Sequence, residues 1–279
     1  MTSMHDVNMI ATGLDHPEGV ALGPDGMLYA GGEAGQVYRV DPNAATVELV
    51  TSVEGGFMLG LCLDAAGAIY VCDAGTATVH RVAPNGDVEA WCASAAGGPI
   101  TCPNWPVFGP DGSLYVSDSG PEDPSVVQGR VLRVPPGGGD ADVLDLPPLH
   151  FPNGMAITPD GVLVVLESFA PTPRLVAVSE NQLEVVAEFP GTVPDGVACT
   201  VDGGFIVSSY YPYHVYRIHR DREVELLLHD ANGTAFPMPT NICFYGEGLD
   251  TLAIASLGGH SLSTVELAVT GAPLHYPAR

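Results

Sequence analysis

A stretch of eleven residues recurs six times along the chain, and this repeat constrains the fold more than any other feature. It runs Gly19–Tyr29, Gly60–Tyr70, Trp105–Tyr115, Gly154–Val164, Gly196–Ile206 and, more weakly, Asn241–Thr251. Asp25, Ala66, Asp111, Asp160, Asp202 and Glu247 mark its register, at spacings of 41, 45, 49, 42 and 45 residues. Each copy reads as a short alternating strand, an Asp-Gly-type turn and a second strand. A third strand follows (37–40, 79–82, 131–134, 215–218), then a fourth (47–50, 224–227). Four antiparallel strands per repeat, six times over, predict an all-β, six-bladed β-propeller. A linear solenoid is the alternative, but its two open ends would need capping changes, and the terminal repeats show none. The sixth unit ends with a third strand near 262–269 and only the tail Thr270–Arg279 remains. The N-terminal run Val7–Thr12 lacks a partner, so it is expected to supply the missing fourth strand and close the ring, leaving no exposed edge. Residues 1–279 are thus read as a single propeller domain.

Composition agrees with this reading. Apolar residues make up 46% of the chain, and 34 Gly and 25 Pro suit many tight turns. No apolar run approaches the length of a membrane-spanning helix. The opening Met1–Asp6 has neither a basic nor an apolar segment of the secretory kind, which predicts a cytoplasmic location. Against 33 Asp and Glu stand nine cations, all Arg, for a net charge of −24. Such a surface repels nucleic acid and anionic membranes and leaves a small molecule as the expected partner. The absence of Lys excludes Schiff-base catalysis. Cys62, Cys72, Cys92, Cys102, Cys199 and Cys243 lack metal-ligand spacing and are expected to be buried thiols.

The chemistry is expected just ahead of each repeat. Register places Glu18, Leu59, Asn104, Asn153, Asp195 and Thr240 at one level, and five of the six follow a proline. The first strand of a propeller blade lines the channel, so these side chains should ring the axis at one mouth. Asn153-Gly154 and Asp195-Gly196 could be mere turn dipeptides. That reading leaves unexplained why four oxygen-bearing residues share one register position amid apolar neighbours. Two carboxylates meeting in a narrow channel repel each other and lose hydration; a cation removes both costs. Glu18, Asn104, Asn153 and Asp195 are therefore the expected ligands of one divalent metal ion. Oxygen-only donors suit calcium first, then Mg or Mn, with Zn or Fe as alternatives.

These motifs (Pro17-Glu18-Gly19, Pro103-Asn104, Pro152-Asn153-Gly154 and Pro194-Asp195-Gly196) resemble the senescence marker protein / gluconolactonase / luciferin-regenerating enzyme family over nearly the whole chain. The resemblance implies a channel metal held by Glu18, Asn153 and Asp195. It implies that Asn104 ligates metal or touches substrate or water, and that Asp195 is the general base. It further implies hydrolysis of a lactone, or in some relatives of an organophosphate. Glu122, in the loop after Asp118, is a candidate substrate contact. Sugar-lactone members carry an Arg where this chain has Cys102. With His16, Phe57, Phe151 and Trp105 also expected near the rim, the pocket reads as fairly apolar, suited to a less polar substrate. Cys102 has no evident basic partner to make it a nucleophile, and His16 could shuttle protons or be structural.

The expected activity is therefore divalent-metal-dependent hydrolysis of a lactone or related ester, Asp195 taking the proton of the attacking water. No nucleophile-elbow motif supports a serine triad instead. Phosphotriester hydrolysis, metal-free condensation of the strictosidine-synthase kind, and a binding propeller with a structural metal are the competing readings.

Overall fold

In a computed structural model, residues 4–121, 123, 125–179 and 181–278 are described. They form six four-stranded antiparallel sheets arranged as the blades of a propeller. The inner strands are Val20–Leu22, Met58–Leu63, Pro103–Phe108, Pro152–Ile157, Val193–Cys199 and Pro239–Tyr245. Each touches the next in cyclic order, and the sixth returns to the first. Among the described residues the helical structure is one 3-10 turn, Met4–Asp6, and no helix is long and apolar enough to cross a membrane.

The repeat turns form as expected. In blades 1 to 5 the glycine of the Asp-Gly-type turn (Gly26, Gly67, Gly112, Gly161 and Gly203) has positive φ, a conformation that costs glycine little. The sixth hairpin differs. Its inner strand gains one residue pair, Tyr245 with Thr251, and Leu249 takes a positive φ in the turn. That lengthening explains why this copy looks degenerate in sequence.

Apolar side chains pack between blades. The six core clusters each join two neighbouring blades; one holds Tyr70 and Cys72 of blade 2 against Phe108 and Leu114 of blade 3. Second strands such as Ile69–Asp73 are buried throughout, whereas outer strands such as Val88–Cys92 are largely exposed. Every sheet thus buries both faces and leaves only its rim in water.

The ring closes as the sequence predicts. Asn8–Thr12 pairs antiparallel with Ser261–Glu266 as the outer strand of blade 6. The C-terminal tail, for which the repeat offers no role, crosses the channel mouth opposite the acidic ring. Ala272 N donates to Cys199 O of blade 5, Tyr276 Oη to Leu22 O of blade 1, and Ala65 N of blade 2 to Pro277 O. Beneath it lies a cavity of about 400 Å³ lined mainly by apolar groups, among them Trp105, Met155, Cys243 and Leu274.

Candidate metal centre and its rim

Glu18, Asn104, Asn153, Asp195 and Thr240 converge at the other mouth of the channel, on the floor of a cavity of about 640 Å³. All five are buried, at 1–6% exposure. What draws them together is visible one residue further on. Gly19, Gly154 and Gly196 lie against the next blade's backbone. A Cβ on Gly19 would stand 2.3 Å from Leu59 O, and one on Gly154 2.4 Å from Asp195 O. None of the three has positive φ. Asn153-Gly154 and Asp195-Gly196 are therefore strand residues, not turns, and their glycines let inner strands approach closely enough to make a narrow ring.

Hydroxyls stitch this level together. Ser119 Oγ donates to Pro152 O at 2.8 Å, Ser168 Oγ to Pro194 O at 2.6 Å and Thr240 Oγ1 to Glu18 O at 2.6 Å. Buried carboxylates at the ends of second strands hold the rim loops. Asp73 accepts from Phe57 N, Asp118 from Cys102 N and Glu167 from His150 N. Each also meets a basic side chain, respectively His80, Arg130 and Arg174. These three carboxylates place the rim and were not foreseen. Their signal was an acidic residue ending the second strand in three successive repeats.

The electrostatics of the ring are those of a cation cradle. Burial, with the Asp195 carboxylate beside it, pushes the Glu18 carboxyl well above the usual range, against a hydrogen bond from Asn241. Burial likewise raises Asp195 to about 7, opposed by a hydrogen bond from Asn153. Three buried oxygens on this floor, Asn104 Oδ1, Asn153 Oδ1 and Asp195 Oδ1, have no hydrogen-bond partner, and Asn241 Oδ1, which lies against Gly196, has none either. Buried polar atoms are seldom left unpaired. Three around one cavity floor, one of them from the Asp195 carboxyl that like Glu18 resists ionising, fit a hard divalent ion in both charge and donor type.

Asn241 is the residue that sequence reasoning passed over. Its Nδ2 donates to Glu18 O and Oε2, both at 3.3 Å. Its register position holds Gly19, Gly60, Trp105, Gly154 and Gly196 in the other blades, so a polar side chain there was the available signal.

Around the floor, Phe57, Cys102, Phe151, Phe169, Val193 and Tyr210 line the cavity. Phe151 and Phe169 meet edge to face, with centroids 5.0 Å apart. Phe57, Cys102 and Phe151 thus stand where expected. Trp105 does not: it follows Asn104 on a strand and so faces the other way. It packs with Val131 and Met155 and borders the opposite cavity. His16 also lies outside this cavity, at the rim, against Asp15, Glu33 and His260. Glu122 lies outside the described residues. Among those described, none of the six cysteines is disulfide-bonded, and Cys72, Cys92, Cys199 and Cys243 are buried as expected, with Cys62 and Cys102 half-buried.

The family model for the SMP-30/Gluconolactonase/LRE-like region matches residues 97–258. The chain belongs to this family. A second model, strictosidine synthase-like N-terminal, matches the short segment 2–40. No curated protein matches by sequence. Among solved structures, a gluconolactonase from Xanthomonas campestris superposes with a TM-score of 0.78 at 21% identity, covering 94% of this chain and 89% of that one. A luciferin-regenerating enzyme gives 0.74 at 16% identity over 98% and 99%. Regucalcin, a calcium-binding protein from Agrobacterium tumefaciens, gives 0.76 at 15% over 96% and 95%. At these identities the likeness establishes the propeller fold that this SMP-30/gluconolactonase-family chain adopts.

Proposed function

We propose that this chain is a divalent-metal-dependent hydrolase that opens a lactone or related ester ring in a fairly apolar pocket. One observation carries the reading: three partnerless buried oxygens, one of them on Asp195 itself, share a cavity floor with Glu18, and burial opposes the ionisation of both carboxyls. Family membership adds the lactonase class, and the net charge of −24 favours a small molecule over nucleic acid or an anionic membrane.

Glu18, Asn153 and Asp195 would hold the ion, calcium best matching an all-oxygen set, and Asn104 would hold it or orient water and substrate. When bound, such an ion supplies charge to polarise a carbonyl oxygen and steady the developing oxyanion. Asp195 takes the proton of the attacking water; its pKa, about 7 without the ion, would be lowered by a nearby positive charge, which keeps it ionised and able to accept a proton at neutral pH. Asn153 fixes the Asp195 carboxylate by hydrogen bond, and Asn241 does the same for Glu18. Phe57, Phe151 and Phe169 shed water from the bound ring and favour alkyl over polyhydroxylated substrates. No Arg lines the cavity among the described residues.

Elemental analysis and a lactone panel, with a phosphotriester included, test this on wild type and Glu18→Gln. Wild type should carry one divalent ion and turn over an alkyl lactone, and Glu18→Gln should lose both. Full lactone turnover in chelator-treated enzyme would sink the proposal.

A further inference from the structure

Outside the acidic ring, a second group of metal-ligating side chains sits where the propeller closes. Asp15 and His16 lie between the N-terminal closing strand and the inner strand of blade 1. His260 lies in the turn between the second and third strands of blade 6. Each offers one ligand atom, all within 4.8 Å of one another. His16 Nδ1 is 3.1 Å from Asp15 Oδ1 and also 3.1 Å from Glu33 Oε2. The rings of His16 and His260 are 4.3 Å apart between centroids.

The group is held in place by hydrogen bonds that fix how each side chain is presented. His260 Nδ1 lies 3.1 Å from Leu14 O; a carbonyl only accepts, so Nδ1 carries the proton and the Nε2 lone pair is left for another partner. Asp15 Oδ2 accepts from Ala34 N and Gln36 Nε2, both at 3.1 Å, which leaves Oδ1 to His16. His16 has φ of +43°, a left-handed conformation that Phe151 and Met238 share at the same register position. Bonds of about 2.1 Å from one ion to two donors at 90–110° place those donors about 3.0–3.4 Å apart. The two 3.1 Å contacts at His16 Nδ1 are made to carboxylates through a proton on that nitrogen, and their length equals that spacing, so an ion can take the proton's place with little movement of the donors.

We propose that Asp15, His16 and His260, with Glu33 at the edge, form a second metal site, distinct from the oxygen ring, for a late first-row divalent ion such as Zn²⁺. Two imidazoles and carboxylate oxygen are a donor set that selects zinc, nickel or copper over calcium, whereas the channel ring has oxygen donors alone. His260 is exposed and Asp15 and His16 half-exposed, so an ion enters directly from solvent. Bound there, it would tie the segment after the closing strand to blades 1 and 6 and strengthen the ring at its seam.

Zinc titration of chelator-treated full-length protein, with calcium kept saturating, reads this site alone. Wild type should bind one Zn²⁺ and melt a few degrees higher with it. His260→Ala and His16→Ala should each weaken zinc binding by about 100-fold or more and lose the thermal shift, while keeping the calcium response that reports a folded protein. Copper replacing zinc should show nitrogen coupling in its electron paramagnetic resonance spectrum, lost in the same variants. His214 and His229, whose rings are also 4.4 Å apart, provide the control: His229→Ala should change nothing. Wild type that takes up no zinc shows the cluster to be a hydrogen-bonded ion-pair group only, and overturns the assignment. So does zinc binding that survives His260→Ala or is lost in His229→Ala.

Discussion

Asn241 shows how a single side chain sets the quality of the channel site. Its amide donates to the Glu18 carboxylate, and its own buried oxygen is left without a partner. Removing it leaves Glu18 buried with less to fix its orientation. Asn241→Ala should therefore lower calcium affinity by about 10–100-fold, the range seen when a group orienting a ligand is lost. Calorimetric titration measures this directly. An unchanged affinity would mean that Asn241 only fills space. Lactone turnover at saturating calcium should recover much of its wild-type level, because Asp195 and Asn104 remain. That recovery separates a residue that positions a ligand from one that handles the proton.

Among the structural elements, the inner strands were the most legible and the rim the least. Proline followed by an oxygen-bearing residue and glycine, repeated at constant register, located the ring because the channel demands one inward side chain per blade. The same register could not say which way Trp105 faces, since that depends on strand alternation after the ring residue. Nor could it place His16, whose positive φ and contacts with Asp15, Glu33 and His260 depend on three separate loops. Asn241 is not marked by a preceding proline, which in this repeat falls before Thr240. The glycines carry the element-scale prediction. Gly154→Ala puts a methyl group 2.4 Å from Asp195 O, against backbone that cannot swing aside. It should cost about 1–3 kcal/mol as blades 4 and 5 separate, and should weaken calcium binding because Asn153 and Asp195 move apart. Gly161→Ala is the comparison. Its Cβ would meet nothing closer than 3.9 Å, but its φ is +89°, so it destabilises the hairpin without touching the ring. Melting curves with and without calcium distinguish the two. If both variants keep wild-type calcium affinity, close approach of the strands is not what makes the ring.

At the scale of the whole molecule, two groups of carboxyls pull stability in opposite directions with pH. Asp25, Asp111 and Asp202 are exposed; what desolvation they undergo would raise their pKa values, yet hydrogen bonds, that of Thr200 foremost at Asp202, and Arg39, Arg133 and Arg217 hold them below the usual range. Their contribution is present above the unfolded carboxylate pKa of about 4 and is lost as pH falls below it. Glu18 and Asp195 behave oppositely when no cation is bound. Their folded pKa values are raised, that of Asp195 to about 7, so the native protein binds more protons than the unfolded chain between about pH 4 and 7. Their contribution is full below the unfolded value and disappears as pH rises through 7. Chelated protein should therefore melt progressively lower from about pH 5 to pH 8. A cation binds the ionised pair and cancels that loss, so calcium should raise the melting temperature far more at pH 8 than at pH 5. Net repulsion among 33 acidic residues also grows with pH, but it acts on both forms and drops out of the difference between them. Glu18→Gln removes one of the two titrating groups and should flatten the slope of the chelated protein. A calcium-induced shift that is the same at pH 5 and pH 8 would mean that no proton is exchanged for the ion, and that Glu18 and Asp195 do not share it.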